Sequence, residues 1–192
     1  MIPKQVFDFS VSLLMVVLIS PVLLLIIILA AIDTKSNGIF KQNRVGQYGK
    51  LFVILKIQTI DCDRNISKIG HFLRKSKLDE LPQLINVLKG EMSLVGPRPD
   101  VPGYYDQLIG DDQKLLQLKP GITGLASLVY RNEEEILALQ ENPEKYNDEV
   151  LFLKKIKLNV LYQENYSFVL DLIIIWHTIF GGLPKIISQS NV

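Results

Sequence analysis

Two adjacent carboxylates, Asp79 and Glu80, stand just before Pro82 in the stretch KSKLDELPQLINVLKGEMSLVGPRP, which covers residues 75–99. Proline fits an α-helix only in its first turn, so we expect a helix to begin close to residue 80 with Asp79 as its N-cap or just outside it. Consecutive residues at a helix start project about 100° apart, so the two carboxylates would not share one proton. They can therefore have separate roles: one carboxylate can attack an electrophile while the other binds a divalent cation.

Cationic side chains surround this pair along the chain, in RKSK before it and in GPRP after it. The prolines on both sides of Arg98 restrict the backbone and so pre-orient a guanidinium, which is a fork-shaped phosphate ligand. A helix N-terminus also favours phosphate. Together these groups are typical of phosphoryl transfer, in which positioning and charge neutralisation account for most of the catalysis. Spacing alone supports an alternative equally well, in which Asp79 is only a cap, Glu80 a dipole partner and the arginines surface charge.

The charge of the chain is unevenly distributed. The 192 residues suffice for one domain with additions, and their formal net charge is +1. Residues 41–77, however, hold nine basic and two acidic side chains, a local net charge of +7. This basic segment could face anionic lipid or a phosphorylated substrate. Cys62 is the single cysteine, so no internal disulfide forms and a reducing compartment is expected. No nucleic-acid partner is expected.

The N-terminal region contains an uncharged apolar run of 22 residues, Val11–Ile32. A helix of that length reaches about 33 Å, enough to cross a hydrocarbon core of about 30 Å. Its centre is interrupted by Ser20-Pro21, where proline leaves the Val17 carbonyl without its helical donor. The Ser20 hydroxyl can donate to that carbonyl instead. Two geometries remain equal: a kinked helix that spans the bilayer, or a helix-break-helix that returns to the same face. Basic residues after the run place its C-terminal side in the cytoplasm.

The remaining sequence predicts an α+β protein that is mostly helical. Two short strands are expected near Ile39–Arg44 and Leu51–Ile57, joined by a glycine-containing turn. Apolar spacing predicts five helical segments, and KPGITG is expected to form a turn; the segments lie at Ile69–Leu73, Leu81–Leu88, Tyr104–Leu118, Pro143–Leu161 and Phe168–Phe180. The last segment is too short to span a bilayer. It packs either on a membrane-associated domain or in a simple core, and the sequence favours neither.

With these residues identified, the chain resembles the monotopic phosphoglycosyl transferases, a family of bacterial sugar transferases. The resemblance runs nearly end to end. It rests on the Ser20-Pro21 pair and on FKQNRVGQYGKLFVILK, RKSKLDELPQLINVLKGEMSLVGPRP, LKPGITGLA, YRN and YSFVLDL. The block Leu78–Pro99 is long enough that chance similarity is implausible.

This resemblance implies an activity and a location. Members of the family transfer a phosphosugar from a UDP-sugar to a polyprenyl phosphate such as undecaprenyl phosphate, which starts surface glycan assembly at the cytoplasmic face of the bacterial inner membrane. By the same resemblance, residues 1–36 form a re-entrant membrane helix with a Ser20-Pro21 break. Residues 37–192 form a cytoplasmic, membrane-associated catalytic domain with interfacial helices, in contact with inner-membrane lipids. Neither the sugar nor the presence of a homodimer is decided by the sequence.

The resemblance also assigns roles to individual residues. Asp79 would be the nucleophile that forms an aspartyl-phosphosugar intermediate, and Asp79 and Glu80 together would bind Mg²⁺. Glu80 could in addition take the proton of the incoming lipid phosphate. Four basic side chains would contact phosphates: Lys56, Arg74, Arg98 and Arg131.

The chain departs from the family pattern at three places. Where the family usually reads K-x-R-T-M, this chain reads KIQTI, so Gln58 replaces an arginine and one cationic contact is lost. The loop before Asp63 is shorter than in the family, and a family G-R-N motif appears as YRN around Arg131. These departures keep a second hypothesis open, a non-enzymatic membrane-anchored module that binds anionic lipid or a partner through its basic segment.

Overall fold

The computed structural model describes residues 2–188, with the side chains of residues 3–187. Within these residues the chain forms two compact units. The first unit consists of the residues up to Gly46 together with Lys50–Leu94, and the second consists of Gln47–Gly49 together with the residues from Val95 onward. The division predicted after residue 36 separates a membrane helix from a cytoplasmic domain, which is a different criterion from compactness. That division stays a prediction.

The first unit begins with one long helix, α1 (Ile2–Thr34), which has Pro21 in its interior. Ser20 Oγ donates to the Val17 carbonyl oxygen at 2.9 Å, as the sequence predicted. The helix is continuous through Pro21, so the predicted break is not confirmed as an interruption of secondary structure. By length and composition, α1 is apolar enough to cross a membrane. Most of its large apolar side chains are exposed, which suits contact with lipid.

A β-hairpin follows, as predicted. Strand β1 (Ile39–Val45) pairs antiparallel with β2 (Leu51–Ile57) in a register that places Ile39 opposite Ile57. Gln47–Gly49 connects the strands through a 3₁₀ turn in which Tyr48 has a positive φ of 58°. Gly46 N–H donates to the Lys50 carbonyl at 2.8 Å and closes the hairpin.

Two short helices complete the first unit, and both were predicted. Helix α2 (Lys68–Lys75) starts at Ser67, whose Oγ accepts the Gly70 N–H at 3.0 Å. Helix α3 (Gln83–Leu88) ends before Gly90, which has the positive φ of 77° that favours glycine after a helix. The core of this unit joins α1, β2 and α2 through four buried side chains: Leu23, Ala30, Ile57 and Leu73.

The boundary between the units falls within strand β3 (Ser93–Val95), which pairs with β4 (Gly121–Thr123) in a second two-stranded sheet. Helices dominate the second unit; they are α4 (Leu125–Val129), α5 (Glu133–Ala138), α6 (Pro143–Tyr146), α7 (Phe152–Glu164), α8 (Phe168–Phe180) and α9 (Lys185–Ser188). A π-turn, Asn147–Leu151, joins α6 to α7, so the predicted helix over Pro143–Leu161 is confirmed with one irregular turn.

Two predictions in this unit are wrong. Tyr104–Leu118 was expected to be an amphipathic α-helix, but it forms two 3₁₀ segments, Tyr105–Gln107 and Gly110–Gln117. Gly110 adopts a φ of 63°, and the Asp106 carboxylate accepts the Gly103 N–H at 2.7 Å, so local side-chain bonding competes with a continuous helix. KPGITG was expected to be only a turn, but its centre is strand β4.

Helix α8 buries Leu170, Asp171 and Ile174 and leaves most of its other apolar side chains exposed. Asp171 is buried and accepts a hydrogen bond from the Tyr162 hydroxyl at 2.6 Å, and Thr178 Oγ1 lies 2.7 Å from Thr123 Oγ1. Trp176 and Ile179 are exposed. The exposed apolar side suits contact with lipid headgroups, and the membrane-associated position of this segment stays a prediction.

Candidate active site

The segment that carries the carboxylate pair is a tight turn ahead of α3. Lys77 adopts a left-handed conformation (φ 59°, ψ 16°), and Leu78–Glu80 then forms a 3₁₀ turn. Pro82 is the N-cap residue of α3, a position where its missing N–H costs nothing. Asp79 therefore lies just outside α3, one of the two positions that the sequence predicted, and it is not the N-cap of that helix. The N-cap of the 3₁₀ turn is the left-handed Lys77.

Both carboxylates are buried at the end of this turn. Asp79 and Glu80 are each 8% exposed, and Asp79 Oδ1 has no hydrogen-bond partner among residues 2–188. Burial raises the pKa of the Asp79 carboxyl above its usual value, and the neighbouring Glu80 raises that pKa further. Lys56, Lys77 and Arg74 oppose both effects and lower the pKa. The turn therefore holds a carboxylate whose charge is only partly compensated by the protein.

Strand β2 contributes a cation to the pair. Lys56 Nζ lies 3.2 Å from Glu80 Oε1, and both side chains are largely buried. Gln58, at the position of the family's usual arginine, donates from its amide to the Ile60 carbonyl. The Gln58 amide thus forms a hydrogen bond within the loop after β2.

Asn86 of α3 forms hydrogen bonds to the backbone of the same strand, and it was not among the predicted site residues. Its Oδ1 accepts the Leu55 N–H at 3.1 Å, and its Nδ2 donates to the Val53 carbonyl and to Glu91 Oε2, both at 2.7 Å. A side-chain amide here replaces the next strand of the sheet. Asn86 is fully buried, and an asparagine between the apolar residues Ile85 and Val87 was the signal that could have identified it.

Arg74 lies in the last turn of α2, where a positive charge suits the helix dipole. Because its charge lowers the pKa of Asp79, Arg74 acts on the carboxylate pair electrostatically. The structure therefore brings together four of the predicted site residues in the first unit: Lys56, Arg74, Asp79 and Glu80.

Arg98 belongs to the second unit, where backbone pairing constrains the GPRP motif. Gly96 N–H donates to the Thr123 carbonyl at 2.9 Å, and Gly121 N–H donates to the Pro97 carbonyl at 2.8 Å. The two backbones approach so closely that a Cβ at Gly96 would overlap the Lys119 carbonyl. The rigidity that the sequence attributed to two prolines thus has a second source in the LKPGITG motif.

Arg131 also lies in the second unit, and its contacts there are with the protein. Arg131 Nη2 donates to the carbonyls of His177 and Thr178 at 3.1 and 3.3 Å, near the C-terminal end of α8. A cation at that end of a helix is favourable. The predicted phosphate contact of Arg131 is untested by this geometry and stays a prediction.

The residues present are compatible with a magnesium ion. Among residues 2–188 no cluster of three or more His, Cys, Asp or Glu side chains could hold a metal. Mg²⁺, however, is commonly bound through one or two carboxylates with substrate phosphates and water as the other ligands. Asp79, with its unpaired buried oxygen, and the adjacent Glu80 match that pattern.

These features define a class of protein: a mostly helical chain with a long apolar N-terminal helix and a buried carboxylate pair beside lysine and arginine. The chain belongs to the bacterial sugar transferase family, whose family model matches residues 1–185.

Individual relatives agree with this assignment. The chain is 39% identical to a UDP-glucose:undecaprenyl-phosphate glucose-1-phosphate transferase of Klebsiella pneumoniae, over 95% of this chain and 40% of that protein. It is 34% identical to the uncharacterized sugar transferase EpsL of Bacillus subtilis, over 100% of this chain and 93% of that protein. It is 31% identical to the exopolysaccharide production protein PSS of Rhizobium leguminosarum, over 95% and 96% of the two chains.

Proposed function

We propose that this protein moves a sugar-1-phosphate from a UDP-sugar to undecaprenyl phosphate and so starts the synthesis of a surface glycan. The observation that carries the proposal is the buried Asp79 carboxylate with an unpaired oxygen, placed among cations at the start of α3. The names of the Klebsiella and Rhizobium relatives support the substrates and the glycan pathway respectively. The chain spans 40% of the Klebsiella protein, so activity and substrates come to this chain as proposals.

Asp79 acts as the nucleophile in this proposal. One carboxylate oxygen forms a bond to the β-phosphorus of the UDP-sugar while the bond from that phosphorus to UMP breaks, and the electron pair leaves with UMP. An oxygen of undecaprenyl phosphate then attacks the same phosphorus, and the bond to Asp79 breaks. The carboxylate is restored, and Glu80 can take a proton from the incoming phosphate. Splitting the transfer into two displacements is the usual advantage of covalent catalysis.

Charge neutralisation makes a carboxylate an adequate nucleophile here. Asp79 and Glu80 would hold Mg²⁺, which when bound neutralises the diphosphate and stabilises the departing UMP. Lys56, kept at the site by its contact with Glu80, and Arg74 add positive charge in the first unit. Arg98 and Arg131 are proposed as further phosphate contacts, and Arg131 Nη2 also donates to two carbonyls of α8.

A re-entrant arrangement of α1 is supported by contacts at its two ends. Ser93 Oγ donates to Asp8 Oδ2 at 2.6 Å near the N-terminal end, and Ser67 Oγ donates to Asp33 Oδ2 at 2.6 Å near the C-terminal end. Both serines belong to the same compact unit. A fully spanning helix would place one of these contacts across the bilayer, where the unit's polar groups would be exposed to hydrocarbon. We propose that both ends emerge on the cytoplasmic face of the inner membrane.

The activity is tested with detergent-purified protein, Mg²⁺, a panel of UDP-sugars and undecaprenyl phosphate, with UMP release as the readout. We expect UMP from the wild type with at least one donor and none from Asp79→Asn. Mass spectrometry of enzyme trapped without acceptor should locate a phosphosugar on Asp79. If no donor yields UMP while the protein still binds anionic vesicles, the non-enzymatic binding module is supported instead.

The topology is tested separately in whole cells with Gln5→Cys and a membrane-impermeant thiol reagent. Cys62 is exposed, so the experiment uses a Cys62→Ser background. We expect no labelling of Gln5→Cys from outside and full labelling after the cells are lysed. Labelling from outside would favour a spanning helix and would contradict the re-entrant arrangement.

A further inference from the structure

Gln83 carries a buried amide for which the proposed reaction has no role. It is the first residue of α3 and is 1% exposed. Its Nε2 has no hydrogen-bond acceptor among residues 2–188. Buried amide donors are nearly always paired in folded proteins. An unpaired donor beside a candidate active site therefore indicates a bond that forms during function.

A buried acceptor in the same condition lies one helical turn earlier. Asp79 Oδ1 is buried and has no partner in the described part of the chain. The segment between the two is helical: Leu81 and Pro82 have φ values of −53° and −60°, and Leu84 N–H donates to the Leu81 carbonyl at 3.1 Å. Four residues are about one and a third turns of a 3₁₀-helix and slightly more than one turn of an α-helix, so Gln83 follows Asp79 by about one turn.

The direction of helical side chains brings these two groups toward each other. In a helix the Cα–Cβ bonds tilt toward the N-terminus, and long side chains lean back over the preceding turn. By this rule the Gln83 side chain is expected to extend toward the turn that contains Asp79. Each group lacks what the other offers, because the amide needs an acceptor and the carboxylate oxygen can accept a donor.

We infer that Gln83 is a positioning residue, whose amide N–H donates to Asp79 Oδ1 when the UDP-sugar is bound and so leaves Oδ2 facing the phosphorus. The inference rests on the proposed function, because it takes Asp79 as the nucleophile. A carboxylate oxygen has two lone pairs, so the amide and a cation can share Oδ1.

The same hydrogen bond fits both displacements. When Oδ2 bonds to phosphorus and UMP leaves with the electron pair, Oδ1 becomes the carbonyl oxygen of an acyl phosphate and still accepts the Gln83 N–H. When undecaprenyl phosphate attacks, the bond from Oδ2 to phosphorus breaks and the carboxylate is restored. Gln83 forms and breaks no covalent bond, and its contribution is orientation.

Two variants of nearly equal volume test the inference. Gln83→Met removes the donor, and Gln83→Glu replaces it with an acceptor. Ligand-free Gln83→Met should unfold at the wild-type temperature or above it, because a buried unpaired donor has been removed. Its kcat should nevertheless fall about 10- to 100-fold, while KM for the UDP-sugar stays within about threefold. Gln83→Glu should be slower still, because one carboxylate then faces another.

Leu84→Ala is the structural control, since it removes a buried apolar side chain from the next position. It should lower the unfolding temperature without a matching fall in kcat. The inference is overturned if Gln83→Met or Gln83→Glu keeps the wild-type kcat, or if kcat in Gln83→Met falls only together with the unfolding temperature. Failure of the proposed function is recognised separately, because it appears in the wild type as absent UMP release or as an unmodified Asp79.

Discussion

Lys56 Nζ on β2 lies 3.2 Å from Glu80 Oε1, so the hairpin supplies a cation directly to the carboxylate pair. A second tie joins the same two segments, because Asn86 of α3 bonds to the backbone of Leu55 and Val53. Strand β2 thus contacts the segment 80–86 at two points, Glu80 and Asn86. Lys56 therefore has both a structural and an electrostatic role, and the two can be separated by mutation.

Replacing Lys56 should cost stability and activity together. Lys56→Met leaves Glu80 buried without this ammonium partner, which should lower the free energy of unfolding by about 2–4 kcal/mol. The double variant Lys56→Met/Glu80→Gln should recover most of the stability, because the buried charge is gone, but should not recover UMP release. Thermal unfolding and the UMP assay measure the two effects. Recovery of activity in the double variant would contradict a catalytic role for the pair.

Neutralising Asp79 should stabilise the protein while abolishing activity. Burial and Glu80 raise the pKa of Asp79, so the folded state disfavours its charged form at neutral pH. Asp79→Asn should therefore unfold at a higher temperature than the wild type at pH 7, by about 2–4 °C for each kcal/mol gained.

The pH dependence has a defined sign. Because the folded-state pKa lies above the usual value of 3.8, the advantage of Asp79→Asn should be complete above the folded-state pKa and should disappear as the pH falls below 3.8. Unfolding curves in metal-free buffer between acid and neutral pH measure this. An advantage that grows toward low pH would show that the pKa is lowered instead.

The left-handed conformation of Lys77 should make glycine better than alanine at this position. Both Lys77→Gly and Lys77→Ala remove the charge, but only alanine keeps the Cβ that strains a φ of 59°. Lys77→Gly should be more stable than Lys77→Ala by about 1 kcal/mol. The two variants should have similar kcat if charge alone matters at position 77. Denaturant unfolding provides the comparison, and equal stabilities would mean that the turn relaxes in both variants.

Arg131 offers a choice between a structural and a phosphate-binding role. Because its guanidinium bonds to two carbonyls of α8, Arg131→Ala should lower the free energy of unfolding by about 1 kcal/mol. The proposed phosphate contact should in addition raise KM for the UDP-sugar in this variant. Arg98→Ala is the matched comparison and should raise that KM about tenfold or more. An unchanged KM in a destabilised Arg131→Ala would contradict the phosphate contact and leave Arg131 with a structural role alone.

Much of the local structure follows from neighbouring residues in the sequence. Two short strand-like runs and the glycines between them located the hairpin, and apolar spacing located α3. The bond from Ser20 to Val17 spans three residues, so it could be predicted from spacing alone. The wrong prediction over Tyr104–Leu118 also has a local cause, because Gly110 and the hydrogen bond from Gly103 to Asp106 outweigh the apolar pattern.

The sequence by itself determined the family, the carboxylate pair, the β1–β2 hairpin and the longer helices, because those signals lie within a few residues of one another. Tertiary structure alone decided that Asp79 and Glu80 are buried, that Lys56 pairs with Glu80, and that Asn86 completes the edge of β2. These features depend on which distant segments exclude water from one another. Spacing along the chain does not show which segments exclude water from one another. Burial away from water is also what raises the pKa of Asp79, the residue at the centre of the proposed chemistry.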